Sequence, residues 1–243
     1  AILRHGGRRV GKYTSPHLVD FSERIVVDGV PIAHEAVTRW LETHEPLVAE
    51  LGATFFEATT AMALHHFAEA GIDVAVVEVG LGGKLDATNL VHPVAAGVTQ
   101  IGYDHLEFLG DTLEAIAGEK AGIYKPGCAA VIGETDPAIR AVLQAHAEAA
   151  GSAPILVTGR DWQVEQVRVE SVGTRFTLTV NGRSRELLTP LVGQFQAHNC
   201  AVALAMLRSA GAPWASLAEE PQEALHGVRL AGRFHHAPPW LFD

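Results

Sequence analysis

Short unbroken apolar runs alternate with longer stretches of helical periodicity through the first two-thirds of the chain. "DVAVVEVG" (73–80) and "PVAAGVTQIG" (93–102) carry almost no polar residue, as parallel strands covered on both faces do. "RRVGKYTS" (8–15), "CAAVIG" (128–133) and "APILVTG" (153–159) predict further strands. Residues 34–51, 55–70, 112–120 and 136–150 space their apolar positions as helices do. Asp28-Gly29 marks a hairpin inside "ERIVVDGVPI" (23–32). The alternation predicts an α/β fold built on a mostly parallel, doubly wound sheet. Near residue 160 the period changes. "WQVEQVRVES", "TRFTLTVNG" and "SRELLTPL" alternate at period two, and Asn181-Gly182 supplies a turn. They predict a small appended antiparallel sheet over about 160–190, with helices after it at about 194–210 and 214–226.

Composition narrows the function. With 48% apolar and 19% charged residues, the balance is that of a soluble globular protein. The formal charge of -10 argues against nucleic acid, whose backbone needs a basic face. An anionic substrate would need a local cation. Cys128 and Cys200 are far apart and form no CxxC pair, which fits buried thiols in a reducing, cytoplasmic compartment. Neither a membrane-spanning run nor a signal peptide is evident. The opening "AILRHGG" reads as the tail of a helix closed by Gly6 or Gly7, and "PPWLFD" as a strand that stops short. Both ends look cut from something longer.

The stretch "EVGLGGKLDATN" (78–89) has glycines and a lysine after an apolar run, but it is not a G-x-x-x-x-G-K-[ST] phosphate loop. "GGRRVGKY" (6–13) has Gly6, Gly11 and Lys12 at the right spacing, yet ends in Tyr13 where a hydroxyl should meet Mg²⁺. It also follows a helix end, and Pro16 enforces extended chain at Ser15, so the context is wrong for a phosphate loop. Glu78 and His105 each follow a predicted parallel strand, and carboxyl ends of such strands are where α/β proteins bind ligands. Asp86 and Asp104 stand close by in sequence. Lys120 taken alone reads as a surface lysine. Gln196 and Asn199 share one face near a helix start.

"YTSPHLVDFSERI", "FFEATTAMAL", "EVGLGGKLDATN", "DHLEFLGDTLEAIAGEKAGI", "GQFQAHN" and "AGRF…LFD" occur in this order. Together they resemble the folylpolyglutamate synthase/dihydrofolate synthase family of the Mur ligase superfamily, over nearly the whole chain. Lys84 and Phe195 depart from the family's usual residues. The resemblance implies that residues 1–243 are a Mur-ligase-type central ATP-binding domain. The family's phosphate loop would precede Ala1 and its C-terminal domain would follow Asp243, so this chain by itself is expected to be inactive.

The implied activity is ATP-dependent addition of L-glutamate to dihydropteroate or folate through an acyl phosphate. By the same resemblance, Ser15 and Glu78 are ligands of a Mg²⁺ that bridges the ATP phosphates, and His105 is a ligand of a second Mg²⁺. Lys120 matches the lysine that can carry a carbamate. Gln196, Asn199, Arg233 and Asp243 belong to the ATP site. Asp86 holds the pterin edge, Phe56 walls its face, and residues 16–28 form a loop over it. The expected partners are therefore small molecules, with the protein a monomer. Two other readings stay open: a different Mur-type ligase acting on muramyl peptide or cyanophycin, and a non-catalytic domain that holds pterin or a partner.

Overall fold

The computed structural model describes residues 1–229. Arg233, Asp243 and the strand expected at the carboxyl end lie outside the described residues. The chain forms two compact units, Leu3–Val91 and Ala1–Ile2 with His92 onward.

A short helix α1 (Ile2–His5) ends at Gly7, whose φ of 72° only glycine adopts readily. In the Leu3–Val91 unit, β1 (Val10–Tyr13) is the centre of a four-stranded sheet. It pairs antiparallel with β2 (Ile25–Val27), which turns at Asp28-Gly29 into β3 (Val30–Pro31). Asp28 and Gly29 have φ of 51° and 86°, the positive pair that a tight hairpin requires. The helices α2 (His34–Leu51) and α3 (Phe55–Ala70) fall where the periodicity puts them. Helix α3 opens on a capping box, with Thr54 and Glu57 each bonding the other's backbone N–H. Strand β4 (Val74–Val77) joins β1 in parallel. Tyr13, Ile25, Met62 and Phe67 form the core. Gly11 presses on it, since a Cβ there would lie 2.8 Å from Ile72 and 2.9 Å from Phe67. Gly11 and Lys12 are thus ladder residues of β1, and the 6–13 stretch is not a phosphate loop.

In the second unit, β5 (Ala95–Val98), β6 (Ala129–Ile132) and β7 (Ile155–Val157) form a parallel sheet in that order. Beyond β5 come α4 (Leu106–Leu109), α5 (Leu113–Ala121) and, after β6, α6 (Pro137–Ala149). Ala130 and Ile132 face α5 and α6, while Val131 between them faces the opposite core. That opposite core is α7 (Gln194–Ser209), held between β6 and an antiparallel sheet of β8 (Trp162–Glu170), β9 (Gly173–Val180) and β10 (Arg183–Thr189). The strand period of two explains the split: successive β6 side chains go to opposite faces, and both are covered.

The α/β class with a parallel sheet and a small antiparallel sheet is as expected. Three details differ. The strands expected in one parallel sheet divide between two sheets, because β4 pairs only with β1 and β5 only with β6 among the described residues. Accordingly β4 is not covered on both faces there, and Val76 is 48% exposed. The helix expected at 214–226 is a 3-10 turn, Ala215–Ala218, followed by α8 (Gln222–His226). Pro221 separates them, having no N–H to continue a helix.

Candidate functional site

In the Leu3–Val91 unit the site is built where β1 and β4 end side by side. The Glu78 N–H donates to the Tyr13 carbonyl at 2.9 Å, which extends the parallel ladder by one step. Two residues past Tyr13 the chain has turned, and the Ser15 N–H donates to Glu78 Oε2 at 2.8 Å. The other Glu78 oxygen and the Ser15 hydroxyl take no hydrogen bond within the described residues. A carboxylate aimed by one amide, with an oxygen free and a serine at the same corner, fits a hard cation that prefers oxygen.

The loop after Glu78 is organised by Asp86. Its Oδ2 accepts from the Gly80 N–H at 3.1 Å and the Leu81 N–H at 2.8 Å. Its Oδ1 accepts from the Thr88 N–H at 2.9 Å and from the Thr88 hydroxyl, and so caps the 3-10 turn Ala87–Leu90. A carboxylate has about four acceptor positions, and the loop uses all of them. Any ligand reaching Asp86 must therefore share or displace one of these four donors.

Phe56, in the first turn of α3, meets this loop directly. A Cβ on Gly80 would stand 2.4 Å from the Phe56 ring, so the glycine lets backbone lie flat on the aromatic face. The Tyr13 ring packs on Phe56 at 5.9 Å, and its hydroxyl bonds Thr60 at 3.1 Å. Burial pushes the Tyr13 phenol above its ordinary range. The structure thus brings Phe56 and the Asp86 loop together. Tyr13 and Thr60, which fix the Phe56 wall, went unnoticed in the sequence; the only signal was an aromatic at the end of a strand.

The loop expected over 16–28 ends at the 3-10 turn Phe21–Arg24, since Ile25–Val27 pair as β2, and the turn and the residues before it are braced by their own contacts. Glu23 accepts backbone N–H bonds from Leu18, Val19 and Asp20 at 2.8–2.9 Å, which hold its carboxyl low. Arg24 is buried, donates to His17 Nδ1 at 2.8 Å and lies 5.4 Å from the centre of the Phe55 ring. The Ser22 hydroxyl and His34 hold the Asp20 carboxyl well below the usual carboxylate range, and Asp20 raises His34 in turn. A folded-state pKa above the unfolded one means that His34 contributes stability fully below about pH 6.5, lost as pH rises through the folded value. In an NMR titration His34 should therefore titrate above an ordinary histidine, and Asp20→Asn should return it toward that value. An unchanged His34 titration in the variant would show that the contact is not made in solution.

In the second unit, His105 caps α4 in the left-handed region, at φ 49°. Its imidazole is exposed, and among the described residues its only ion-pair partner is Asp104, at 3.5 Å. Lys120 lies in the last turn of α5, half-buried, and its side chain has no ion-pair or hydrogen-bond partner among the described residues. Gln196 is buried in the first turn of α7, and the Asn199 amide N–H₂ lies 3.5 Å from its oxygen. Gly193 starts that helix at φ 133°, and the buried Thr174 hydroxyl bonds the Leu191 carbonyl, the Gly193 carbonyl and the Gly193 N–H around it. Among the described residues no three His, Cys, Asp or Glu side chains converge as a metal cage.

Residues 33–207 match the Mur ligase middle domain. A folylpolyglutamate synthase of Lacticaseibacillus casei is 39% identical over 211 residues, covering 84% of this chain and 49% of that protein. The chain thus spans about half the length of this curated relative. The apo form of L. casei FPGS superposes with a TM-score of 0.87 at 32% identity, covering 98% of this chain and 60% of that one. E. coli FolC in complex with DHPP and ADP superposes with a TM-score of 0.84 at 34% identity, covering 98% and 54%. The chain belongs to the Mur ligase family through its middle domain, and within it to the folylpolyglutamate synthase/dihydrofolate synthase branch.

Proposed function

We propose that the protein to which this chain belongs is an ATP-dependent ligase that adds L-glutamate to dihydropteroate, to reduced folates, or to both. One observation carries it: an oxygen-rich corner made by Glu78 and Ser15 shares a compact unit with an aromatic wall and a carboxylate loop made by Phe56 and Asp86. The solved relative bound to DHPP and ADP supports the same pairing of ligands.

In the proposed reaction a substrate carboxylate oxygen attacks the γ-phosphorus of ATP and ADP leaves. The glutamate amine then attacks the acyl carbon, loses a proton and expels phosphate. Two anions must be brought together, and Mg²⁺, when bound, supplies the charge neutralisation for this. Glu78 and Ser15 would hold one ion and His105 a second. Lys120 would carry a carbamate, its neutral amine adding carbon dioxide and releasing a proton. Gln196 and Asn199 would contact ATP from the start of α7, with Arg233 and Asp243 completing that site. Asp86 would orient the pterin edge against Phe56 by charge-assisted bonds.

The ligase is expected to work as a cytoplasmic monomer with no nucleic-acid partner, in keeping with its charge of -10. No helix among the described residues is long and apolar enough to cross a membrane. The test is phosphate release by the full-length protein with ATP, L-glutamate and either dihydropteroate or a reduced folate. Release with at least one of these, dependent on glutamate, is expected. Release only with a muramyl peptide, or with no acceptor tried, would overturn the proposal.

A further inference from the structure

Strand β6 is followed by a carboxylate that the proposed chemistry does not use. Glu134 is only 4% exposed. Its Oε2 accepts the Ile101 N–H at 2.6 Å, and its Oε1 accepts the Asp136 N–H at 2.7 Å. It has no ion-pair partner among the described residues. Burying an unpaired carboxylate is expensive unless hydrogen bonds offset the loss of water. Both bonds are short and charge-assisted, the strong kind.

The geometry of those two bonds is specific. Asp136 caps α6, accepting from the Ala138 and Ile139 N–H groups, so one arm of Glu134 rests on a fixed helix start. The other arm reaches across to the chain leaving β5. Ile101 is packed against the core under α5 and α6. Beyond it the support ends. A Cβ on Gly102 would meet nothing within 4 Å, and Tyr103 is 67% exposed. The next backbone hydrogen bonds are those that the His105 carbonyl accepts from Phe108 and Leu109. Apart from its chain neighbour Asp104, which lies in the same segment, the exposed imidazole of His105 is placed by its backbone, and among the described residues the last anchored point before it is the Ile101 N–H.

We infer that Glu134 is a positioning residue for His105, a role that rests on the proposed place of His105 in the nucleotide and metal site. Through Ile101 it sets where the Gly102–His105 segment leaves the sheet, and with that where the imidazole stands. Misplacement of a functional group by about 1 Å can cost about a hundredfold, so a brace of this kind is functionally sensitive even though it touches no substrate.

Glu134→Gln isolates the effect. The glutamine oxygen can accept from only one of the two amides, and its N–H₂ would oppose the other, donor against donor. In the full-length enzyme, amide hydrogen exchange over residues 99–109 and the affinity for Mn²⁺ with ADP, read by electron paramagnetic resonance, should be measured for Glu134→Gln, His105→Ala and the double variant. Glu134→Gln should speed exchange at Ile101 and weaken Mn²⁺ binding about tenfold, within the range that misplacement allows. In the His105→Ala background it should weaken Mn²⁺ binding no further, because a residue that acts through another couples to it fully. If the glutamine variant does not fold, Glu134→Asp keeps the charge but is a methylene too short to reach both amides, and should weaken Mn²⁺ binding in the same His105-dependent way. Normal Mn²⁺ affinity in Glu134→Gln beside a loss in His105→Ala would overturn the positioning role alone. So would an equal loss with and without His105. Normal Mn²⁺ affinity in His105→Ala would instead overturn the metal-site reading of His105, and the inference with it.

Discussion

Glu78→Ala should remove most of the ligation rate of the full-length enzyme while leaving it folded. Glu78 is exposed, and the one bond lost, from the Ser15 N–H, can pass to water. A net hydrogen bond is worth about 0.5–1.5 kcal/mol, and less where water replaces it. A metal-held carboxylate stands on a different scale. Charge stabilisation by a bound ion is worth several kcal/mol in the transition state, and each 1.36 kcal/mol is about tenfold. A fall in kcat/KM of about 10²–10⁴ follows, with little change in melting temperature. Glu78→Gln separates the two roles of the side chain: its oxygen can still receive the Ser15 N–H, but the charge is gone. It should keep the stability and lose most of the rate. Wild-type turnover in Glu78→Ala at saturating Mg²⁺ would rule out the metal role.

Asp86→Ala should act selectively on the pterin substrate. A lost charge-assisted hydrogen bond costs about 1.5–3 kcal/mol, or roughly ten- to 150-fold in pterin-substrate efficiency, and ATP affinity should stay near wild type. The loop geometry adds a second consequence. The same carboxylate caps the Ala87–Leu90 turn and holds the Gly80 and Leu81 amides, so the variant should also lose about 1 kcal/mol, typical of a missing cap. In a chain of this size that lowers the melting temperature by about 2–4 °C. Thr88→Val removes one of the loop bonds and spares the carboxylate, so it measures how much of the pterin loss comes from loop order alone. Equal losses for ATP and pterin in Asp86→Ala, or a pterin loss fully reproduced by Thr88→Val, would reduce Asp86 to a loop residue.

Much of the scaffold was legible because it is set by local rules. The helices at His34–Leu51 and Phe55–Ala70 agree with the periodicity to the residue, since left-handed Gly52 and Gly71 close them and a capping box at Thr54 and Glu57 opens the second. The two hairpins at Asp28-Gly29 and Asn181-Gly182 adopt the positive φ pair their residues favour. Glu78 and His105 stand out as candidates by the rule that strand ends carry chemistry, and the family motifs gave Ser15, Phe56, Asp86, Lys120, Gln196 and Asn199 their expected roles. Glu134 obeyed the same strand-end rule, in "VIGETDP", and was passed over because a single glutamate after an apolar run has no partner visible in sequence.

What the sequence by itself determined is the class of fold, the order and extent of most elements, and the residue types available at the strand ends. Periodicity, caps and turns are properties of neighbours along the chain, so the chain displays them. Only the tertiary structure decided that β4 pairs with β1 and β5 with β6, that Gly80 lies flat on Phe56, that Asp86 spends its acceptors on its own loop, and that Glu134 reaches across to Ile101. Each of these joins groups brought together by packing, by a strand's choice of neighbour or by the aim of a side chain. A hydrogen bond or ring contact is selected by distances of a few ångströms, which sequence separation does not encode.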